Sequence, residues 1–359
     1  MAAVRVALVG CGAIAKHHLR ALQLSKYATE VTAVVDVDRK TAEDLTKQLP
    51  LGTRCKIFDT IAEALQWKGF DAVMLMIPHH LHEPYAIRCM EAGLHVFLEK
   101  PLSHTVRSCV HVIEAAKRAK GVFMVGENSP HWPEVAKATQ LLKEGVIGET
   151  YFAQANYWES IGRDMFNLED ASRRHVTHWR YDPAQAGGGV LMDGATHWVR
   201  PLRTWFGDIT EVVGVVGHPY APSKGESLVQ ALFKFENGKT ASLYCNYMDI
   251  PMTPLPFFQI FGTKGEITIA GSFDGGMSIR TRAHPEVKEY GTLGGYTGAF
   301  PPQMETFLKA IVEGTTEEIR ANPMQALQEV LVAKAIYKSV TTKRWEAVNV
   351  ENVIDSDSS

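Results

Sequence analysis

The chain has 359 residues, 45% of them hydrophobic and 21% charged, with a formal net charge of −3, so two globular domains are expected. So small a net charge argues against a protein that binds nucleic acid or a membrane surface. The sequence contains no run of about 18 apolar residues, so no transmembrane helix is predicted. Its five cysteines show neither CxxC nor metal-like spacing, which predicts buried thiols in a reducing, cytoplasmic compartment.

Residues 1–126 alternate short apolar runs with helical stretches, a pattern typical of repeated βα units. Strands that are apolar throughout indicate a parallel sheet covered on both faces, as in a doubly wound Rossmann domain of the α/β class. The predicted strands are Val4–Val9, Glu30–Val35, Ala72–Ile77, His95–Leu98 and Val122–Val125. The predicted helices are Ala13–Leu24, Arg39–Gln48, Phe58–Trp67, His82–Ala92 and Val106–Ala119.

Residues 127–359 have a different texture and predict a second domain of the α+β class. Alternating strands and a turn signal at Glu236–Lys239 favour a mainly antiparallel sheet. The predicted strands are Glu149–Tyr157, Glu211–Val216, Ser227–Phe235, Thr240–Met248, Phe257–Phe261 and Glu266–Ala270. The predicted helices are Pro133–Glu144, Met192–Trp205, Gln303–Glu313 and Pro323–Val340.

A GxGxxA motif links the first predicted strand to the first predicted helix. Gly10 permits the tight turn, Gly12 lets the backbone approach a pyrophosphate, and Ala15 lets helix and strand pack closely. Ala13 and Ile14 stand at the helix N-terminus, whose N–H groups and dipole favour phosphate. The motif therefore predicts a dinucleotide site.

Asp36 ends the second predicted strand, 21 residues after Ala15. A carboxylate there can accept hydrogen bonds from the adenosine ribose, which favours NAD. A 2′-phosphate would meet like charge, although Arg39 could partly offset it, so NADP stays an alternative cofactor. The remaining interpretation of the whole motif is an ordinary strand–helix turn with a solvated Asp36.

Two further loops follow predicted parallel strands, at the edge where such sheets bind ligands. The first begins at Pro78 and contains His79 and His82; the HHxH spacing is not specific for a metal, and we expect a cofactor-lining loop without one. The second contains Glu99 and Lys100, which we also expect beside the cofactor. The alternative for Lys100 is an ordinary surface lysine.

Three consecutive glycines, Gly187–Gly189, precede Asp193 and His197. Glycines of this kind allow the backbone to approach a ligand closely. If the segment is helical, Asp193 and His197 lie on one face, where the carboxylate could orient the ring. A histidine suits removal of a hydroxyl proton near neutral pH. A capping aspartate and a packed histidine remain the alternative.

Together these segments resemble the glucose–fructose oxidoreductase/inositol 2-dehydrogenase family (Gfo/Idh/MocA), and the resemblance covers most of the chain. It is carried by Gly10–Ala15, Pro78–Pro84, Glu99–Pro101, Trp179–Arg180 and Gly187–His197. The resemblance implies a Rossmann domain followed by an open-faced, mainly antiparallel sheet that such proteins often use to form homodimers or homotetramers.

The resemblance also implies a catalytic set of Lys100, Asp193 and His197. In that scheme His197 removes a proton from a sugar or polyol hydroxyl, and Lys100 stabilises the charge on the reacting oxygen. Asp193 orients the base or the substrate. This chain departs from the family pattern at His79, where asparagine is usual, and at Arg200, where aspartate is frequent.

Residues 156–182 offer aromatic faces and polar donors that suit a carbohydrate or cyclitol ring. The predicted substrate contacts are Trp158, Trp179 and Arg180, with Lys100, Asp193 and His197. Further candidates in the segment are Arg163, Arg173, Arg174, His175 and His178. Each of them could instead be a solvated side chain of a structural loop.

The preferred function is NAD(P)-dependent hydride transfer to or from a sugar, polyol or related cyclic alcohol. Some members of the family resembled here oxidise a sugar carbon only transiently and act as glycosidases or dehydratases, which is a second hypothesis. A third is a non-catalytic, cofactor-sensing regulator, disfavoured because Lys100, Asp193 and His197 are all present.

Overall fold

The structure is a computed structural model that describes residues 3–160, 178–220, 223–248, 250, 252–316, 319 and 322–354. The chain divides into two compact units. The first unit comprises residues 1–103, 108–127 and 300–327, and the second comprises 104–107, 128–299 and 328–359. None of the described helices is both long and apolar enough to cross a membrane.

The described part of the first unit contains a six-stranded parallel sheet in the order β3-β2-β1-β4-β5-β6. Its strands are β1 (Val4–Val9), β2 (Thr29–Val35), β3 (Lys56–Phe58), β4 (Ala72–Leu75), β5 (His95–Leu98) and β6 (Phe123–Val125). The connecting helices are α1 (Ala13–Leu24), α2 (Arg39–Thr46), α3 (Ile61–Trp67), α4 (His82–Glu91) and α5 (Val106–Arg118). This strand order defines a doubly wound Rossmann sheet and confirms the predicted class.

The central strands are apolar because helices cover both faces of the sheet. β1 and β4 are almost wholly buried. The strand order reverses its direction between these two strands, so the loops that follow them border the ligand crevice. The sequence prediction missed β3 and merged its last residue, Phe58, into a helix. Only three residues form this edge strand, and none of them is fully buried.

The second unit contains, in its described part, a nine-stranded sheet in the order β14-β13-β12-β11-β7-β10-β9-β8-β15. Its strands are β7 (Thr150–Ser160), β8 (Ile209–Gly217), β9 (Leu228–Phe235), β10 (Thr240–Met248), β11 (Phe258–Gly262), β12 (Gly265–Ile269), β13 (Met277–Thr281), β14 (Lys288–Gly291) and β15 (Glu346–Ala347). β7 and β10 run parallel, and the other neighbours are antiparallel. The mainly antiparallel sheet predicted from the sequence is confirmed.

Helices cover the buried face of this sheet, and strand alternation sends every second side chain towards them. The helices between β7 and β8 and before β7 are α6 (Pro133–Lys143), α7 (Pro183–Ala186), α8 (Val190–Asp193) and α9 (Thr196–Phe206). α10 (Phe300–Glu313) and α11 (Pro323–Thr342) lie between β14 and β15 in the chain, and α12 (Val350–Val353) follows β15.

α10 belongs to the first unit although it follows the second sheet in the chain. Phe300 at its start stacks on the ring of His17 at 5.1 Å and meets His18 edge-on at 5.3 Å. The sequence division into 1–126 and 127–359 does not include this return of residues 300–327. An amphipathic helix shows in sequence that it buries a face, but not which surface covers it.

Candidate active site

The turn between β1 and α1 has the backbone shape that a pyrophosphate site needs. Gly10 has a φ of +85°, and a Cβ there would lie 2.1 Å from the carbonyl oxygen of Met76. A Cβ on Gly12 would meet no atom within 4 Å, so the space above this residue is open. No side chain caps the N-terminus of α1, and its first turn, which holds Ala13 and Ile14, has no acidic residue. These residues fit a dinucleotide phosphate.

Asp36 at the end of β2 is fixed against this turn. Its Oδ2 accepts a hydrogen bond from the N–H of Cys11 at 2.7 Å, and its Oδ1 accepts one from the N–H of Asp38 at 2.8 Å. Each carboxylate oxygen can accept a further hydrogen bond, so a ribose contact is compatible with this position. Arg39 is exposed and pairs with Asp59 at 3.2 Å and with Glu43 at 3.6 Å.

The loop after β4 contains Pro78, and His79 opens a short 3₁₀ helix, where its side chain is buried. His82 is fully buried and lies between two loops. Its Nδ1 is 2.8 Å from the carbonyl oxygen of Pro101, and its Nε2 is 3.0 Å from that of Ile77. This imidazole therefore connects the loops after β4 and β5, which is a structural position. Its predicted contact with the cofactor stays a prediction.

The loop after β5 carries Glu99 and Lys100. One Glu99 oxygen lies 2.6 Å from Nε2 of the buried His18 on α1, and the other accepts the N–H of Lys100 at 3.0 Å. Glu99 thus links the loop to the helix that begins at the phosphate turn. Lys100 is half-buried at the carboxyl end of its strand, where a parallel sheet exposes ligand-facing residues.

Asp193 and His197 do not lie on one continuous helix, so the predicted helix Met192–Trp205 is wrong as a single element. α8 ends at Asp193, and α9 begins at Thr196. The N–H of His197 bonds to the carbonyl oxygen of Gly194 at 3.3 Å, not to that of Asp193. Gly194 is needed at the break because a Cβ there would lie 1.8 Å from the ring of Tyr157.

Asp193 lines a small pocket of the second unit with a free volume of about 10 Å³. The described residues that line it are Arg180, Tyr181, Gly189, Val190, Asp193, Ser223 and Tyr247. Asp193 Oδ2 is 3.3 Å from Nε of Arg180 and 3.4 Å from the hydroxyl of Tyr247. The Arg180 guanidinium also stacks over the ring of Trp179 at 4.3 Å. The predicted residues Trp179, Arg180 and Asp193 are therefore brought together.

Two buried tyrosines extend this polar group. The Tyr157 hydroxyl donates to Oε2 of Glu159 at 2.6 Å and lies 3.2 Å from the hydroxyl of Tyr247. Burial and the carboxylate of Glu159 raise the pKa of both tyrosines well above the usual value, and the Asp193 carboxylate raises that of Tyr247 further. Both hydroxyls stay protonated at neutral pH, and each can donate a hydrogen bond to a carboxylate.

His197 is 6% exposed in the first turn of α9. Its ring meets the half-buried Tyr296 edge-on at 5.8 Å and Trp198 at 6.2 Å. Trp198 in turn stacks on Tyr157 at 4.1 Å, so the histidine stands beside a packed aromatic cluster. A ring held in this way has few rotamers available, which suits a positioned base.

The three glycines before α8 pack against the chain itself. A Cβ on Gly187 would lie 2.4 Å from the carbonyl oxygen of His104, and one on Gly188 would lie 2.0 Å from the hydroxyl of Tyr337. A Cβ on Gly189 would lie 2.0 Å from the carbonyl oxygen of Glu226. Protein atoms thus occupy the Cβ direction of all three glycines. The prediction that the glycines allow the backbone to approach a ligand closely stays a prediction.

Arg200, one of the departures from the family pattern, belongs to a buried ionic cluster. It makes two bonds to the Glu329 carboxylate, Nε to Oε1 at 2.7 Å and Nη2 to Oε2 at 2.6 Å. Arg203 bonds the same carboxylate at 2.7 Å and Asp208 at 2.6 Å. The cluster fixes α9 against α11 below the histidine.

Two matches to family models decide the relationship of this chain to known proteins. A model of oxidoreductases with an NAD-binding Rossmann fold, the Gfo/Idh/MocA family, matches residues 4–127. A model of the C-terminal domain of that family matches residues 135–268. The chain belongs to the Gfo/Idh/MocA oxidoreductase family. It is an NAD(P)-dependent oxidoreductase that acts on CH–OH groups.

Individual relatives align with most of this chain. A levoglucosan dehydrogenase of Pseudarthrobacter phenanthrenivorans is 27% identical over 320 residues, 76% of this chain and 78% of its own. A 2,7-anhydro-N-acetylneuraminate hydratase of Escherichia coli is 26% identical over 74% of this chain and 67% of its own. The crystal structure of an oxidoreductase of Thermotoga maritima is 28% identical, with a TM-score of 0.82 over 97% of this chain and 99% of its own.

Some residues predicted to contact the substrate are not found at the Asp193 pocket. Trp158 donates its indole N–H to the carbonyl oxygen of Leu255 at 3.3 Å, and it is not among the described residues that line the Asp193 pocket. Strand alternation turns it away from Tyr157 and Glu159, which face the core. Arg163, Arg173, Arg174 and His175 lie outside the described residues, and of His178 only the backbone is described.

Sequence reasoning missed Tyr157, Tyr247, Glu159 and Glu226. A weak signal for the first three is present, because they occupy the same strand parity as the apolar core residues of β7 and β10. A glutamate and two tyrosines on a core face require hydrogen-bond partners, which indicates a polar site. Glu226 gives no such local signal, since its partners are distant in sequence.

Proposed function

We propose that this oxidoreductase interconverts a secondary hydroxyl and a carbonyl on a sugar, polyol or related cyclic alcohol, with NAD as the preferred cofactor. The observation that carries the proposal is the buried Asp193 carboxylate, which meets the Arg180 guanidinium and the Tyr247 hydroxyl four residues before the buried His197. Convergent donors and acceptors of this kind suit a polyhydroxylated ligand. The relatives named for levoglucosan and for an anhydro sugar acid support the same substrate class.

Three side chains carry the proposed chemistry. His197 accepts the proton of the reacting hydroxyl at an imidazole nitrogen, and the packed rings of Trp198 and Tyr296 hold that imidazole in place. The ammonium group of Lys100 stabilises negative charge on the reacting oxygen. Asp193 orients the substrate or the base, with Arg180 and Tyr247 fixing its carboxylate.

The bound nicotinamide supplies the hydride acceptor or donor. Gly10, Gly12 and the N-terminus of α1 would hold the pyrophosphate, while Asp36 would hold the adenosine ribose. Asp36 and the nearby Asp38 both carry negative charge, which opposes a 2′-phosphate. Arg39 is engaged by Asp59 and Glu43, and this also favours NAD over NADP.

A transient-redox reaction is the second candidate, favoured by the similarity to the E. coli hydratase. In that case the same residues would hold the substrate while bound nicotinamide would accept a hydride from a sugar carbon, addition or elimination would occur at the neighbouring position, and the hydride would return to the carbon. The two reactions differ in the net change of the nicotinamide redox state. A dehydrogenase accumulates reduced nicotinamide in proportion to product, whereas a hydratase or glycosidase returns the nicotinamide to its starting state in every turnover.

Surface composition and cysteine chemistry support a proposal for assembly and location. We propose a cytoplasmic homodimer or homotetramer built through the outer face of the second sheet, where Val215 and Leu232 are each at least half exposed. Large exposed apolar side chains on one sheet face favour association. All five cysteines are thiols rather than halves of a disulfide, which suits a reducing compartment. Light scattering on the purified chain measures the mass directly.

The test is nicotinamide absorbance with NAD and NADP against levoglucosan, inositols, aldoses and sugar acids. The matched variants are His197→Ala and His284→Ala, the second at an exposed histidine on a turn. We expect one substrate class to reduce NAD, with the rate lowered about 10²–10⁴-fold in His197→Ala and unchanged in His284→Ala. Equal rates in the two variants would remove His197 from the mechanism.

A further inference from the structure

Glu226 occupies an unusual position beside the short helix that carries Asp193. It is 5% exposed, yet both carboxylate oxygens have hydrogen-bond donors. Oε2 accepts the N–H of Gly189 at 2.9 Å, and Oε1 accepts the N–H of Leu191 at 3.0 Å. The hydroxyl of Tyr337 donates to Oε1 at 2.8 Å.

The backbone of Glu226 completes the attachment. Its carbonyl oxygen accepts the N–H of Val190 at 2.9 Å, so one residue satisfies three consecutive N–H groups at the start of α8. These are groups that a helix cannot satisfy internally. A helix of four residues has little stability of its own, so its orientation depends on such attachments.

The glycines around this attachment are tightly packed. Gly189 lies so near to Glu226 that a Cβ would be 2.0 Å from the Glu226 carbonyl oxygen, and a Cβ on Gly225 would lie 2.8 Å from Gly189 Cα. Gly188 is equally tight, because a Cβ there would lie 2.0 Å from the Tyr337 hydroxyl. The loop can therefore shift very little relative to Glu226 without a clash.

We propose that Glu226 is a positioning residue for the reaction, acting through α8 to set the place of the Asp193 carboxylate. The inference rests on the proposed function, because it gives Asp193 a role in catalysis. The N–H of Asp193 bonds to the carbonyl oxygen of Gly189 at 3.1 Å. Gly189, which Glu226 holds, therefore also positions Asp193. Asp193 meets Arg180 and Tyr247 at 3.3 and 3.4 Å, distances that a small displacement would lengthen beyond hydrogen-bonding range.

A carboxylate suits this task better than an amide of the same shape. A glutamine side chain has one acceptor oxygen, whereas the N–H groups of Gly189 and Leu191 donate to two different oxygens of Glu226. Burial raises the pKa of Glu226, and its hydrogen-bond donors offset only part of this desolvation cost. The variant Glu226→Gln therefore removes one attachment while it preserves volume.

The experiment compares Glu226→Gln with Asp193→Asn and with Ile267→Ala. Ile267 is fully buried on β12, away from α8, so its variant loses stability without touching the attachment. Levoglucosan with NAD is the substrate pair, and the readouts are kcat, KM, the pH profile of kcat/KM, and the dissociation constant of NADH. Hydrogen exchange of a peptide that covers residues 187–196 reports on α8 directly.

We expect Glu226→Gln to lower kcat about 10- to 100-fold with an unchanged dissociation constant for NADH, because a small misplacement near the chemistry has that effect. The acid limb of its pH profile should move in the same direction as that of Asp193→Asn. Exchange in residues 187–196 should accelerate at least about tenfold, since a local attachment is lost. Ile267→Ala should lower the melting temperature and leave the pH profile in place.

The outcomes separate the inference from the function on which it rests. Normal exchange in residues 187–196, or wild-type kcat and pH profile in Glu226→Gln, would overturn the role of Glu226 while levoglucosan oxidation by the wild type still stood. If Glu226→Gln does not fold, Tyr337→Phe removes one donor to Glu226, and the same two readouts apply with smaller expected changes. An inactive wild type would count against the proposed substrate, and the exchange result would still decide whether Glu226 holds α8.

Discussion

Arg180 and Asp193 form an ion pair in which Nε of the guanidinium lies 3.3 Å from Oδ2 of the carboxylate. The Arg180 side chain is 30% exposed and stacks on Trp179, while the Asp193 side chain is 9% exposed. A partly exposed pair adds little stability, typically about 0–1 kcal/mol. Its main consequence is the fixed orientation of the Asp193 carboxylate.

Replacing Arg180 should therefore affect turnover more than folding. We expect Arg180→Met to lower kcat/KM for a sugar substrate about 10- to 100-fold, because Asp193 loses the cation that orients it. Arg180→Lys should retain part of the activity, since it keeps the charge but not the planar stack on Trp179. Steady-state kinetics with thermal unfolding of both variants checks this. Wild-type kcat/KM in Arg180→Met would show that the pair has no functional part.

Asp36 is predicted to set cofactor preference and also to hold the phosphate turn through Cys11. Asp36→Ala should weaken NADH binding about 10- to 100-fold, as expected for loss of hydrogen bonds to a charged group. Asp36→Asn retains one acceptor, so NADH affinity should fall less while discrimination against NADPH narrows. Fluorescence titration of both cofactors measures the two effects, and Asp59→Asn is the surface control. If Asp36→Asn discriminates between NADH and NADPH as the wild type does, the negative charge of Asp36 is excluded as the cause of the cofactor preference.

Two glycines of the same motif should respond differently to alanine. A methyl group at Gly12 enters open space, so Gly12→Ala should keep the melting temperature of the wild type and bind NADH at least about tenfold more weakly. Gly10→Ala should destabilise the fold, because the added Cβ would lie 2.1 Å from the Met76 carbonyl oxygen at a φ of +85°. Calorimetry and cofactor titration distinguish the two. A stable Gly10→Ala protein would contradict the structure of the turn.

The buried cluster around Glu329 should contribute strongly to stability. Glu329→Gln leaves the buried guanidinium groups of Arg200 and Arg203 without their shared carboxylate, and breaking such a pair costs about 3–5 kcal/mol. The matched control is Glu211→Gln, whose pair with Lys234 is exposed on both sides and should cost less than about 1 kcal/mol. Urea unfolding gives both free energies. Equal losses would mean that burial of the cluster is unimportant.

The Rossmann unit was largely predictable because its sequence signals are local. The limits of β1, Val4–Val9, and α1, Ala13–Leu24, agree with the structure, since an apolar run and a glycine turn define them. β3 escaped detection because three half-exposed or exposed residues carry no hydrophobic pattern. In the second sheet β10 was correctly bounded, whereas the short strands β13, β14 and β15 were missed because few residues define each of them.

The candidate site was only partly predictable, because its geometry depends on contacts between distant residues. Asp193 and His197 were identified by residue type and family resemblance, but the break between α8 and α9 depends on the Tyr157 ring against Gly194. Glu226 lies 37 positions from Gly189, and no sequence period connects them. The fold brings such pairs together, so only the structure reveals them.

We propose hydride transfer between nicotinamide and a hydroxyl-bearing sugar carbon, with His197 as the base. The most direct measurement uses substrates deuterated at the oxidised carbon, with mass spectrometry of the nicotinamide after a single turnover. We predict deuterium in the reduced nicotinamide formed by the wild type and the His284→Ala control, and a rate lowered about 10²–10⁴-fold in His197→Ala. Absence of deuterium from the nicotinamide with every sugar, polyol and cyclic alcohol in the panel would contradict it.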